Sequence, residues 1–352
     1  VTARRPRWLA VWNRAVIRTA WRRALPVWIG CGIVAPLLFG PTAMHPSDVT
    51  GLALGDPGFG AVLVVVWLLV FVPTARLIVR PTAAAYLSSL PGDPWLAWLV
   101  AAAALIWLQL PWLTLWLSGE GAWGAMVVAG VTLAIVALAR WQPPGRRLRP
   151  PTWRSAGQAL RSIHRRALVR RAGDVLLRGA GLAVLAGLAA GLMIRNNERT
   201  GVDAGVLGAS VISVVLIPAQ IAPALTTLAA YRETAWLAQA YGISPGTRIG
   251  ALAASVALVH VTAAAIAAAA AMVVAAPNAW LAVLAIATAL STALLEVRTI
   301  VLHEAAATIA MRVVVGAIAA AAVAVVSLSV LDELGAVAML ALGFGAVIGA
   351  AR

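Results

Sequence analysis

Apolar residues run along this chain in long blocks, separated by short polar and Arg-bearing stretches. A helix needs about 20 mostly apolar residues to cross a bilayer at 1.5 Å rise per residue. Ten blocks approach that length: Leu25–Gly40, Phe59–Ala75, Trp95–Leu117, Ala122–Ala139, Val175–Ile194, Gly205–Ala222, Ile249–Ala276, Trp280–Leu295, Ala307–Leu328 and Leu334–Ala350. The pattern predicts an all-α, polytopic integral membrane protein of about ten transmembrane helices. Two other stretches alternate basic and apolar faces. Arg14, Arg18 and Arg22 recur at i, i+4, i+8, with Trp8, Trp12, Val16 and Ala20 opposite. Further on, Trp153, Ala156, Leu160, Ile163 and Ala167 share one face, and Arg154, Arg161 and Arg165 the other. Helices of this kind are expected to lie at the headgroup level, with their arginines toward anionic lipid.

Composition supports the membrane reading. Of 352 residues, 62% are hydrophobic and 11% charged, with a mean hydropathy of +0.93. Soluble domains are about 45–50% apolar and about 25% charged. A soluble enzyme, a disordered chain and a disulfide scaffold are therefore excluded. The 27 basic residues against 12 acidic ones give +15, and every basic residue is Arg. With no Lys, the chain has no P-loop, whose Lys reaches the β- and γ-phosphates. The arginines also fix an expected orientation. On alternate loops they divide 25 against 2. Basic residues accumulate in the cytoplasm, so an even number of spans with both termini cytoplasmic is expected, in the inner (plasma) membrane. The first block lacks a small-x-small cleavage site and is expected to remain as an uncleaved span. Cys31 is single and forms no intrachain disulfide.

The chain shows signs of an internal repeat. Residues 18–25, Arg-Thr-Ala-Trp-Arg-Arg-Ala-Leu, match residues 161–168, Arg-Ser-Ile-His-Arg-Arg-Ala-Leu, at five of eight positions. The Pro-Gly pairs Pro91–Gly92 and Pro245–Gly246 each follow a short helix-like stretch ahead of a long span. A four-span unit keeps its orientation when duplicated. The expected organisation is an interfacial helix plus spans 1–4 over residues 1–139 and an Arg-rich cytoplasmic linker with an amphipathic helix over 140–174. Spans 5–8 then occupy 175–296, and spans 9–10 occupy 297–352.

Tyr86-Leu-Ser-Ser-Leu-Pro91, after the second span, resembles the cytoplasmic coupling segment of ABC-2 type exporter permeases. Arg232-Glu233-Thr-Ala-Trp236-Leu237, with Ile243-Ser-Pro245, is a looser second match, and the N-terminal amphipathic stretch is similar to that family's elbow helix. The resemblance implies a permease energised by a separate ATPase subunit. That subunit carries ATP and Mg and docks on Tyr86, Leu87, Leu90, Pro91 and Gly92, and on Arg232, Glu233, Trp236, Leu237 and Pro245. The family has about six spans per permease, whereas this chain has about ten and two coupling-like segments.

Polar residues inside apolar spans are functional candidates by default. Gln109 and Gln220 stand beside Pro111 and Pro218, where backbone groups lose their partners. His260 interrupts an Ala-rich span. Glu296, Arg298, His303 and Glu304 suggest an ion-pair network or gate at the end of the eighth span. Gln109, Gln220, His260, Glu296 and Arg298 are the candidate pathway or gate residues. No catalytic set or metal cluster stands out, and His303-Glu304 does not extend to H-E-x-x-H because position 307 is Ala. The expected function is the membrane subunit of an ATP-driven exporter, not itself an enzyme. Its expected partners are the ATPase and membrane lipid, with a homodimer as an option and no nucleic acid. The alternatives are a membrane-embedded lipid-modifying enzyme or transferase, and an ion-coupled secondary transporter.

Overall fold

The computed structural model describes residues 5–39, 44–80, 94–141, 155–303 and 308–351. The described residues are helical throughout, joined by short turns, and contain no strand. The chain divides into two compact units, Val1–Arg146 and Arg147–Arg352.

In unit 1, α1 (Arg5–Trp12), a π turn (Asn13–Ile17) and α2 (Arg18–Phe39) follow one another without a connecting loop. Trp12 and Arg18, which flank the π turn, both keep right-handed helical angles. The N-terminal amphipathic stretch therefore runs on into the first apolar block. A stripe at i, i+4 spacing, Trp12, Val16, Ala20 and Ala24, is buried inside the unit. Next come α3 (Pro46–Gly55) and α4 (Pro57–Val79). The α4 N-terminus is capped by Asp56, whose carboxylate accepts from the Gly58 and Phe59 amides at 2.8 and 3.3 Å. α5 (Pro94–Leu108) and α6 (Leu110–Arg140) complete the unit.

The chain doubles back within α6. Gly121 takes φ 55°, ψ −123°, a left-handed conformation open to glycine. Gly124 then comes against the backbone of Trp116. Residues eight apart would be separated by about 12 Å on a straight helix, so residues 110–120 and 122–140 are two arms of a hairpin. Gln109 binds Thr132 across those arms at 3.2 Å.

Unit 2 holds α7 (Ala156–Asn196), α8 (Gly201–Val215), α9 (Ile217–Glu233), α10 (Ala235–Ala240), α11 (Pro245–Val274), α12 (Ala279–Leu302) and α13 (Ile309–Ala351). α7 bends at Ala172 (φ −125°, ψ 17°), where the Arg-rich amphipathic segment passes into the apolar one. α7 and α11 run parallel in close contact, with Gly187 against the Ala267 carbonyl and Gly191 against Ala271. α8 and α12 also run parallel, with Gly205 against Trp280 and Ser213 bonded to Thr288 at 3.3 Å. Small residues let backbones approach where lipid gives no hydrophobic drive for packing. α8 and α9 meet at a 54° bend. Pro218, one residue into α9, has no N–H to return to the Val214 carbonyl.

α13 also reverses. Asp332 takes φ 48°, ψ −128°, and Gly335 sits against the Ser327 backbone. Both arms reach α12, Gly316 at Thr299 and Gly343 at Leu294. Seven of the described helices are long and apolar enough to cross a membrane, or eight if the bent α8–α9 pair counts as one span. The architecture is compatible with a multi-pass membrane protein.

Candidate functional site

Unit 2 brings together two groups of candidate residues. The first is at the end where α7's basic segment, α9, α10 and the start of α11 meet. α9 ends at Glu233, Thr234 breaks the helical path, and α10 is a short helix that turns at Gly242 (φ 60°). Ser244 then caps α11 by accepting from the Thr247 amide at 3.3 Å. Pro245 occupies the first turn of α11, where the missing N–H costs nothing. The Pro-Gly pair therefore opens the next span and does not close α10.

Side chains tie this end into a block. Arg171 on α7 pairs with Glu233 at 2.7 Å. The hydrogen bond from Arg171 holds the Glu233 carboxyl below its ordinary value. Arg248 lies 3.8 Å from the centre of the Tyr231 ring and donates to the Tyr231 carbonyl at 3.0 Å. His164, fully buried, sits 3.5 Å from the Ser255 hydroxyl. Burial lowers the His164 imidazole below 6.5, the Arg248 charge acts in the same direction, and a hydrogen bond to the Ala251 backbone opposes both. From this block Trp236 on α10 and Tyr241 just after it project into solvent, 68% and 76% exposed. Arg232 and Pro245 are exposed and Leu237 is half-buried.

The second group lies inside the bundle. His260 on α11 and Glu296 on α12 are each 1% exposed, with His260 Nε2 3.1 Å from Glu296 Oε2. Their approach is oblique: neither Nε2 nor either carboxylate oxygen makes an aligned hydrogen bond among the described residues. His260 Nδ1 lies 3.0 Å from the Val256 carbonyl. Sequence reasoning placed Glu296 in a network with Arg298. In the structure Glu296 turns inward and Arg298 is exposed, because residues two apart on a helix do not share a face. His303 folds back onto the Thr299 carbonyl at 3.0 Å. Glu304 lies outside the described residues.

The other candidates are scattered. In unit 1, Gln109 is buried and fully engaged. It accepts from Trp67 Nε1 at 3.4 Å and donates to the Leu105 carbonyl and Thr132, each at 3.2 Å. The Gln109 amide N–H turns to Ile106, so its own side chain serves the carbonyl one turn back. Gln220 is buried just beyond the α8–α9 bend. Of the interfacial residues, Trp12 is buried, and Arg14, Arg18, Arg22, Arg161 and Arg165 are exposed. Tyr86, Leu87, Leu90, Pro91, Gly92, Trp153 and Arg154 lie outside the described residues. Leu160, His164, Leu168 and Ala172 form the buried line of the basic segment. That line turns toward the protein, which its apolar pattern alone did not distinguish from a lipid-facing stripe. No grouping of three or more potential metal ligands occurs among the described residues. The chain matches no family model, no curated protein and no solved structure.

Proposed function

We propose that this chain is the membrane-spanning permease of an ATP-driven exporter, powered by a separate ATPase subunit that docks on its cytoplasmic end. The observation that carries this reading is α10. It is a short helix between two long ones, it follows directly on the end of α9 that Arg171–Glu233 ties to α7 and Arg248–Tyr231 ties to α11, and it and the turn after it present Trp236 and Tyr241 to solvent. A partner that closes on ATP needs a rigid element to push, and aromatic side chains anchor such contacts. Tyr86–Gly92 is the matching segment of the first unit in this proposal.

The same reading gives ten spans. Counting both arms of the reversals at Gly121 and Asp332 adds two to the eight apolar candidates. Both termini are then cytoplasmic, as the arginine split requires. Two four-span repeats, each led by an amphipathic segment that runs into its first span, account for spans 1–8.

The test is purification of the full chain from its native membranes with ATP hydrolysis as the readout. The wild type is expected to bring an ATP-hydrolysing subunit with it. The double variant Trp236→Asp, Tyr241→Asp is expected to lose that activity while keeping its thermal midpoint. A wild-type preparation with no ATPase activity, or a double variant that retains it, overturns the reading. One observation favours a second reading, an ion-coupled carrier: Glu296 is a buried carboxylate inside an apolar span, where such groups mark ion pathways.

A further inference from the structure

We propose that His260 and Glu296 form a binding site for a single proton, held between α11 and α12 inside unit 2. The argument rests on the geometry of that unit and stands under either reading of the protein's function.

Three observations fix the chemistry. First, Nδ1 of His260 lies 3.0 Å from the Val256 carbonyl oxygen. A carbonyl only accepts, so Nδ1 carries the hydrogen. Second, that assignment leaves Nε2 of a neutral ring with a bare lone pair, 3.1 Å from Glu296 Oε2. If the carboxylate is also unprotonated, two electron-rich atoms and one net negative charge face each other with both side chains 1% exposed. A buried charge without compensation is strongly unfavourable. Third, no neighbouring group supplies the missing hydrogen. Thr288, Ser291 and Thr292 on the same helix spend their hydroxyl hydrogens on α12's own carbonyls at 2.8 to 2.9 Å. Neither carboxylate oxygen has a donor among the described residues.

One proton resolves all three. It sits on Oε2 and points to Nε2, or on Nε2 and points to Oε2, and the pair is neutral overall in both forms. A small rotation of the carboxylate about its broad terminal torsion brings the two atoms into line. The charged groups on the packed elements are Arg178 on α7, Asp203 on α8, Glu233 on α9, Arg248 on α11, Arg298 on α12 and Arg312 on α13, and none of them donates a hydrogen bond to the Glu296 carboxylate. Val256, Ala293 and Val297 pack into the same apolar cluster one turn or less from the pair.

The site lies about 24 Å along either helix from the α11–α12 turn, deep inside the helical bundle. The Ser213–Thr288 bond sets the register of α8 on α12. By that register the α8–α9 bend at Leu216 is level with Ser291, about 7.5 Å along α12 from Glu296. The bend is where packing around the pair can part and admit water. The step is then Glu296–COOH releasing H⁺ to water and becoming a carboxylate, with His260 remaining neutral and Nδ1-protonated.

The experiment uses the purified full chain in lipid nanodiscs. Infrared spectra at neutral pH, wild type minus Glu296→Gln, are expected to show the band of one protonated carboxyl or one imidazolium per chain, shifted in deuterium oxide and missing from the variant. The side-chain amide in that variant donates to Nε2 without an acidic proton, so its thermal midpoint is expected to match the wild type. If Glu296→Gln does not fold, wild-type spectra with carbon-13 Glu and nitrogen-15 His read the same proton. A wild type that shows no such band, or a variant whose spectra match it, overturns the proposal. So does a midpoint that rises when sodium chloride replaces choline chloride at fixed pH in the wild type and not in Glu296→Gln. That result assigns the site to a metal cation.

Discussion

The two units bury polar groups in different surroundings. In unit 1 the amide of Gln109 meets an aromatic cluster through Trp67 Nε1. Trp67 stacks on Trp112 at 4.7 Å and lies tilted against Phe71 at 4.3 Å, and Trp112 meets Trp116 edge-on at 5.5 Å. Gln109 is neutral, and its donors and acceptor are in use. In unit 2 small residues sit among buried Leu, Ile and Val, backbones touch at Gly187 and Gly191, and the Glu296 carboxyl faces the His260 imidazole with no aligned hydrogen bond between them. A satisfied amide beside large rings fixes one arrangement. Small side chains allow helices to come close, and a pair whose charge depends on one proton gives that contact two states. By this comparison the Gln109 amide is held in one arrangement, whereas the His260–Glu296 contact depends on one proton.

The largest expected effect comes from attacking the backbone contacts of unit 2. Gly187→Leu puts a side chain into the Ala267 carbonyl and is expected to destabilise by about 3 kcal/mol or more. Gly130→Leu in unit 1, where nothing lies within 4 Å, is expected to leave the thermal midpoint unchanged. Equal effects of the two would erase the contrast in packing. His260→Ala comes next. It removes one member of the buried pair and is expected to lower stability by about 3 kcal/mol at neutral pH, measured by denaturant titration in detergent. Gln109→Ala follows at about 2 kcal/mol, because Trp67 Nε1 and the Leu105 carbonyl lose their partner. That loss is expected to be the same from about pH 6 to about pH 9, since an amide does not titrate there. A pH-dependent loss would remove the distinction between the fixed and the proton-dependent core.

Smaller effects are expected at the Arg-rich end of unit 2. Trp236→Ala is expected to change stability by less than about 0.5 kcal/mol, since an exposed side chain is removed. Its consequence is expected in partner binding alone. The least is expected from mild acid. Glu233 and His164 both bind fewer protons in the folded chain than in the unfolded one. Stability from both is therefore present above their ordinary values and lost as pH falls through the lowered ones. The protection factors of the α10 amides, which divide out the intrinsic exchange rate, are expected to fall from about pH 7 to about pH 4. Arg171→Gln is expected to remove the lower part of that response, and added salt to blunt it.

Parts of this architecture were readable from the residues. Apolar length located the long helices, because a bilayer sets their minimum size. Ser118-Gly-Glu-Gly121 and Asp332-Glu333 marked the places where the chain reverses, since polar and flexible residues interrupt apolar blocks. Gln109 beside Pro111 suggested repair of a group freed by the proline, whereas its side chain serves the Leu105 carbonyl, left open because Gln109's own N–H turns to Ile106. Other features were not readable. The basic segments of α1–α2 and α7 have the same two-faced pattern whether the apolar face meets lipid or protein. Only packing turned Leu160, His164 and Leu168 inward. Pro245 reads equally as the end of a turn and the start of a helix, and Ser244 decided for the latter.

Helicity, enough apolar length for lipid, the alternation of the arginines and the absence of Lys for a P-loop follow from local composition and distances along the chain. Which polar residues meet depends on packing between distant segments. His260 and Glu296 are separated by two long arms and a turn, and each could have faced another helix. Their meeting follows from the packing of α11 and α12 in one apolar cluster with Leu252, Val256, Ala293, Val297 and Ile300, which is written in no single segment.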